Sequence, residues 1–563
     1  MSIARISTKS PSPTRVSFEA AVIPRPLSLN IGTGSFRLDA STIIVAGDNA
    51  LPEARLLADI LSRSTGVSPA ISKIAGRIPN GTICLTVEPE VSLATDPKNS
   101  VPSRFGRGGE ERAGAGSESY RLQVTPTHIM ITASTPAGAF YGVQTLLQLL
   151  PPEALAPSRQ ERSAWSIPCC VIDDEPRFAW RGAMLDVARH FMPTSFVKKL
   201  IDLLAFHKLN TLHLHLSDDQ GWRLEIKKHP KLTQVGGRRD ATLSGRCTQD
   251  PADKHFDPDK DPLDDKPHGG YYTQEEAREL VEYARARHVT IVPEIDIPGH
   301  AQAMIAAYPE LGCVDADVSV SPRWGIHPFV LAPHEQTFQF LEDVFGEVMD
   351  IFPSPFIHIG GDEVVKDQWR GDPSTMRRAA ELGLKDETEL HAYFVKRMSR
   401  FIASHGRRLV GWDEILDSEL SPGTVVMSWR GVEGGKAGAA AGFDVVMAPH
   451  DKTYYDYRQS AVEADEPLAF RLCTTLDDVY AYDPVPDELP PAHRHKIIGT
   501  QGQLWTEYVP TPEHAEYMLF PRLIALAEVA WSDPDHCNYA DFLRRLRGHE
   551  RRMDQLDVNY RPL

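Results

Sequence analysis

The sequence contains no run approaching the ~18 consecutive apolar residues of a membrane-spanning helix. Its opening stretch, MSIARISTKSPSPTRVSFEAAVIPRP, also lacks the apolar core of roughly 7–15 residues that marks a secretory signal. A cytoplasmic location is therefore expected, with a secreted or periplasmic one as the alternative, and no membrane partner. Cysteine is scarce, with 7 in 563 residues. Cys169 and Cys170 are adjacent, the others are scattered, and there is no CxxC pair, so neither a disulfide framework nor a thiolate zinc site is expected. Basic residues are in deficit, 60 against 77 acidic, for a formal charge of −17. That balance argues against nucleic acid as a partner, because phosphate binding needs a basic footprint. No GxGxxG or GxxxxGK[ST] follows a strand, which speaks against a nucleotide, and no cofactor is expected.

What is present is an ordinary globular composition, 42% apolar, in a chain long enough for two or three domains. Residues 1–20 read as a disordered leader. Residues 21–175 read as a smaller α+β domain, with strands at 42–45, 83–87, 120–124 and 128–133 and helices at 55–61 and 137–150. The second helix carries Phe140, Val143, Leu146, Leu147 and Leu150 at three- and four-residue spacing, which predicts one apolar face. A Gly- and charge-rich surface insert is expected at 104–117, and nothing in this domain points to chemistry.

From Arg177 the rhythm changes, and short apolar runs alternate with helical patterns. The runs lie at 183–187, 211–216, 290–295, 356–359, 408–412, 424–428, 444–447 and 496–500. Helices are marked by Phe196, Leu200, Leu203 and Leu204, by a capping box from Thr273 to Glu276, and by Phe338, Leu341, Phe345 and Val348. About eight such units over roughly 350 residues predict a closed parallel (β/α)8 barrel over 176–563, ending in C-terminal helices. A doubly wound open sheet is the alternative. Residues 229–269 form a polar insert expected to be a surface loop, its 241–268 part beside the rim.

A barrel predicts catalytic groups just past the C-terminal ends of its strands. Polar residues fall there in every unit: Arg189 and His190; Asp218 and Asp219; Asp296 and His300; Asp362 and Glu363; Trp412 with Asp413 and Glu414; Trp429 and Arg430; Tyr454, Tyr455 and Asp456; and Trp505 with Glu507. This mixture suits sugar. Indoles stack on the apolar face of a pyranose, and Arg189, Asp218, Asp456 and Glu507 suit vicinal hydroxyls. The sharpest motif is HIGGDE at 358–363. Two glycines permit a tight turn, and two adjacent carboxylates in one pocket raise at least one pKa, placing a proton donor beside an anion.

That motif resembles the catalytic signature of the family 20 glycoside hydrolases, the β-N-acetylhexosaminidases. So do RGAMLDVARHF (181–191), LHLHLSDDQGW (212–222), PEIDIPGH (293–300), GWDE (411–414) and QLWTE (503–507). The resemblance covers about residues 120 to 531 and implies a smaller α/β domain ahead of the barrel. It implies that Glu363 is the general acid, that Asp362 holds the substrate's acetamido N–H, and that Tyr454 donates to the acetamido oxygen. That oxygen attacks the anomeric carbon, so the intermediate is an oxazolinium and no enzyme carboxylate is the nucleophile. It further implies that Arg189, Asp218, Asp456 and Glu507 read hydroxyls and that His300 and Asp296 form a relay near the acid. Trp412, Trp429 and Trp505 are implied to wall the sugar, and the substrate is implied to be an N-acetylhexosamine-terminated oligosaccharide or glycoconjugate.

Three other readings stand beside this one. His213 and His215 share a strand face, and with His300, His358 and Asp362 they offer a metal-dependent hydrolase site that a chelator would inactivate. The plainer reading of both strand histidines is hydrogen-bonded filling of the barrel, with no metal. A two-carboxylate retaining glycosidase predicts equal turnover of β-glucosides. A catalytically dead sugar-binding protein is opposed by the intact Asp362–Glu363 pair.

Overall fold

The computed structural model describes residues 21–74, 76, 78–88, 118–156, 162–247 and 261–563. The leader at 1–20, the 104–117 insert and the middle of the 241–268 insert lie outside the described residues.

The first domain is built on a seven-stranded sheet of β1 (Ser28–Asp39), β2 (Ile43–Ala46), β3 (Ala70–Lys73), β4 (Thr82–Val87), β5 (Tyr120–Val124), β6 (His128–Ala133) and β7 (Ala164–Asp174), in the order β1-β7-β5-β6-β4-β2-β3. Sequence pattern reveals β2, β4, β5 and β6 but not the other three. β3 is an edge strand exposed at every position, and β1 has a run of six exposed residues, so neither shows apolar alternation. β7 contains Pro168 and the Cys169–Cys170 pair, poor strand signals by composition.

Helix α1 (Leu51–Thr65) and helix α2 (Pro136–Leu149) cover the sheet. Pro136 opens α2, and the Thr135 side chain accepts the Gly138 N–H, a sound N-terminal cap. The single apolar face expected of α2 is corrected: every residue from Gly138 to Leu149 is buried. The helix is enclosed by the sheet on one side and the barrel on the other. Gly142 allows the close approach, since a Cβ there would lie 2.6 Å from Cγ2 of Ile131. On the far side, Nε2 of Gln148 donates to the Phe206 carbonyl at 3.0 Å, and Arg552 donates to the Gln148 carbonyl.

The second domain is a closed parallel barrel. Its strands are β8 (Trp180–Asp186), β9 (Thr211–His215), β10 (Thr290–Glu294), β11 (Phe356–His358), β12 (Arg408–Trp412), β13 (Val425–Ser428), β14 (Asp444–Met447) and β15 (Ile497–Leu504), adjacent in chain order. The last strand runs on to Leu504, past the expected 500, and brings Gln501 against His213 inside the barrel at 3.1 Å. The outer ring includes α3 (Thr194–Phe206), α4 (Gln274–Arg285) with its Thr273–Glu276 capping box, α5 (Glu335–Ile351), α6 (Glu387–Ser404), α7 (Val432–Ala440), α8 (Arg522–Trp531) and α9 (Tyr539–Gln555). After β12 there is only a short 3-10 turn, Asp413–Asp417. No described helix is long and apolar enough to cross a membrane.

The insert after β9 is not the plain surface loop expected from its composition. Arg238–Arg239 pairs with His268–Gly269, and Arg239, Thr242 and Leu243 are buried. Leu243 packs with Trp324 and Tyr508, so the described parts of the insert form a side wall of the rim.

Candidate active site

The loop after β11 is shaped by its neighbours. Gly360 and Gly361 have φ of +68° and +95°, a region that L side chains rarely adopt. A Cβ on Gly360 would also fall 1.7 Å from Oδ1 of Asp296, the atom that accepts the Gly361 N–H at 3.1 Å. The backbone thus wraps tightly around a buried carboxyl and presents Asp362 and Glu363, the latter at φ +50°.

These two side chains sit in different surroundings. Asp362 is buried, and its Oδ1 has no protein partner. Burial pushes its pKa up to about 6, with the Glu363 and Glu294 charges adding and His300 opposing. Glu363 is more open, its side chain 30% exposed, with Oε2 3.4 Å from Nε2 of His300. His300 itself has φ +48°, and its Nδ1 lies 3.2 Å from Asp218 and 3.3 Å from Asp219. Burial would lower the imidazole's pKa, but the Asp218 charge and the hydrogen bonds to Asp218, Asp219 and Glu363 hold it well above the usual range.

Asp218 is read from sequence as a hydroxyl partner, yet its oxygens are occupied within the protein. Oδ2 lies 2.8 Å from Nη2 of Arg189 and 2.8 Å from Nε2 of His215, and Oδ1 faces His300 and accepts the Asp219 N–H. It ties Arg189 to His300. The expected His300–Asp296 relay is likewise wired differently: the imidazole is held by Asp218 and Asp219, while Asp296 braces the glycine turn.

Arg189 donates from Nε to Gln220 at 2.8 Å, sits 3.9 Å from Glu507, and lies over the Trp505 ring at 5.1 Å. Beside it, Glu507 and Asp456 are drawn together by β15 and the segment after β14. Burial pushes Glu507 up to about 7, and burial plus the Glu507 charge raises Asp456 well above the carboxylate range. Oδ1 of Asp456 and Oε2 of Glu507 are buried without a protein partner. Buried carboxyl oxygens without a protein hydrogen-bond partner thus lie on Asp362, Asp456 and Glu507, and deeper on Asp219 and Asp296, where a ligand or solvent can satisfy them.

The aromatic residues form one contiguous cluster near Asp362. Trp412 is a floor rather than a wall: it is buried and donates its indole N–H to Glu294 at 3.1 Å. Trp505 lies 6.0 Å from it by ring centroid, Tyr454 6.2 Å from Trp505, and Trp429 stacks on Tyr454 at 6.3 Å. The Asp362 charge acts on Tyr454, whose hydroxyl burial keeps firmly protonated.

All twelve candidate residues thus lie at the rim or directly beneath it. Sequence reasoning missed Asp186 and Gln220 around Arg189 and Glu294 below Asp218, and it gave Glu414 behind Trp429 and His215 below Asp218 no supporting role in the site. The signals were present in RGAMLD, SDDQ, GWDE, HLH and PEID, but a strand-end carboxylate does not declare which way it faces. His213 and His358 flank Glu294 at 3.0 and 2.8 Å, inside the barrel and below the rim.

One rim of the closed barrel thus carries a carboxylate pair, an arginine and a cluster of indoles. Residues 178–534 match the glycosyl hydrolase family 20 catalytic domain and residues 19–175 match domain 2 of that family, and the chain belongs to it. A β-hexosaminidase of Porphyromonas gingivalis (strain ATCC BAA-308 / W83) is 39% identical over 541 residues, covering 96% of this chain and 64% of that protein. The chain thus spans less than two thirds of that relative's length. The structure of a β-N-acetylhexosaminidase from Streptomyces coelicolor A3(2) superposes with a TM-score of 0.77 at 31% identity, over 99% of each chain. An exo-β-N-acetylglucosaminidase from Vibrio harveyi, in complex with N-acetylglucosamine, gives 0.80 at 32% identity, over 100% of this chain and 81% of that one.

Proposed function

We propose that this chain is an exo-acting, retaining β-N-acetylhexosaminidase that removes terminal N-acetylglucosamine or N-acetylgalactosamine from oligosaccharides and glycoconjugates. The observation that carries this is the aromatic cluster of Trp412, Trp429, Tyr454 and Trp505 beside Asp362, whose Oδ1 has no protein partner. An acetamido group fits that pairing: its methyl is enclosed by rings and its N–H reaches a buried carboxyl. A bare C2 hydroxyl would leave those rings without a partner.

In this reading Glu363 protonates the leaving oxygen and later activates water, and His300 steadies its carboxylate. Asp362 orients the amide nitrogen, Tyr454 donates to the amide oxygen, and that oxygen attacks the anomeric carbon to give an oxazolinium. A nucleophile carried by the substrate is already in place, and such intramolecular reactions reach effective molarities of ~10⁵–10⁸ M. Acid catalysis adds ~10²–10⁴-fold. Arg189, Asp456 and Glu507 read the hydroxyls at the other end of the ring.

The test is a rate panel of aryl β-glycosides differing only at C2 and C4. Turnover of the N-acetylhexosaminides with near-total loss on the β-glucoside is expected, as is strong inhibition by a thiazoline analogue. Equal turnover of the β-glucoside supports two-carboxylate chemistry instead. Unchanged turnover by Glu363→Gln removes the assigned acid.

A further inference from the structure

Below the rim, acidic and imidazole side chains alternate from the barrel centre to Glu363. Nδ1 of His215 lies 2.5 Å from Oε2 of Glu294, and Nε2 of His215 lies 2.8 Å from Oδ2 of Asp218. Nδ1 of His300 lies 3.2 Å from Oδ1 of Asp218, and Nε2 of His300 lies 3.4 Å from Oε2 of Glu363. Everything up to His300 is buried. We propose that His215 and Glu294 are positioning residues for the acid step, acting on Glu363 through Asp218 and His300.

The chemistry follows from the donors and acceptors. His215 stands between two carboxylates, so both ring nitrogens must donate, which only the imidazolium can do. Burial works against that cation, but Glu294 and Asp218 hold it well above the usual histidine range. Glu294 is fixed in turn by the Trp412 indole and flanked by His213 and His358. The other charged groups packed here are Asp219, Asp296 and Asp362 near His300, the last 3.9 Å from its Nε2, and Arg189 on Asp218. The Trp505 ring closes the side of His215 at 4.9 Å. Asp218 is thus pinned through both oxygens, and against the effect of burial the Arg189 and His300 charges and its hydrogen bonds to both histidines hold its carboxyl well below the usual range. His300 is held with its Nε2 toward Glu363, ready to donate to the carboxylate left when Glu363 gives up its proton.

This inference rests on Glu363 being the acid. The experiment compares His215→Gln and Glu294→Gln with the unaltered protein, following kcat/KM against pH on 4-nitrophenyl and phenyl β-N-acetylglucosaminides. Removing a buried cation makes the site more negative, so carboxyls keep their protons to higher pH. Removing a buried anion does the reverse. The alkaline limb is expected to move up by about half to one pH unit in His215→Gln and down by a similar amount in Glu294→Gln. Both variants should lose more on the phenyl glycoside, whose poor leaving group needs the acid, within the ~10²–10⁴-fold that acid catalysis supplies. Equal losses on both substrates with an unmoved limb overturn the proposal, since a purely structural defect behaves that way. If neither variant folds, ¹⁵N-histidine NMR of the unaltered protein at pH 8 decides. Two buried histidines protonated on both nitrogens are expected, and fewer than two overturns the proposal. An unmoved limb in a protein that Glu363→Gln inactivates sinks only this inference. Full turnover by Glu363→Gln sinks the assignment beneath it.

Discussion

Trp429 donates its indole N–H to Oε2 of Glu414 at 3.1 Å, so a half-buried carboxyl stands behind the outer ring of the aromatic cluster. Burial, reinforced by the charges of Asp362 and Asp413, pushes that carboxyl up to about 8. Near neutral pH it is mostly a neutral hydrogen-bonding group. Glu414→Gln keeps an acceptor for the indole and should change KM by no more than about threefold. Glu414→Ala frees the ring, and a lost hydrogen bond of about 1 kcal/mol corresponds to a KM rise of roughly fivefold. Steady-state kinetics on a 4-nitrophenyl N-acetylhexosaminide separate the two.

Stability should peak at mildly acidic to neutral pH. Glu414 and Glu507, held up to about 8 and 7, keep protons in the fold that the unfolded chain has released. His215 and His300, also raised, lose their stabilising contribution as pH climbs above the unfolded value of roughly 6.5. All four therefore make stability fall between about pH 6.5 and 8. Below that window the buried histidines His190, His207, His213 and His391, pushed down to about 4 mainly by burial, act the other way. Thermal unfolding across pH 5 to 8 should show the maximum, and Glu414→Gln should flatten the alkaline side. An alkaline slope unchanged by Glu414→Gln contradicts the raised carboxyl.

Gly360→Ala should be severe. The left-handed backbone alone costs a side chain ~1–2 kcal/mol, and here the new methyl also meets the Asp296 carboxyl. Loss of activity is expected together with a lowered Tm. Gly371→Ala is the control, because a Cβ there meets nothing within 4 Å.

Arg189→Met leaves Asp186, Asp218 and Glu507 without their shared cation. Removing one partner of a buried ionic cluster typically costs ~3–5 kcal/mol, so denaturant unfolding should show a loss of that order along with inactivation. Arg189→Lys should restore part of the stability but little activity, because an ammonium cannot reproduce the fork that spans Gln220 and Asp218.

The barrel was legible because β9, β10 and β12 are compact apolar runs, each closed by a polar cluster, and helices such as α4 carry their own capping signals. β1 and β3 were not, because their residues are mostly exposed and leave no apolar alternation to read. Among the candidate residues, position at the rim could be read from the end of each strand, but orientation could not. Asp218 and Asp456 look alike in sequence. One is engaged by Arg189, His215 and His300, and the other keeps an unpartnered oxygen.

By itself, then, the amino-acid order determined the barrel and the chemical groups gathered at its mouth, because periodicity and motif order are local properties of a chain. Only the tertiary structure decided which acids face outward and which face one another. His215 meets Glu294 across 79 positions, and Asp218 meets His300 across 82. Whether a buried carboxyl holds a proton, a cation or a ligand depends on such distances, since the energy of a charge out of water is set by its nearest neighbours in space.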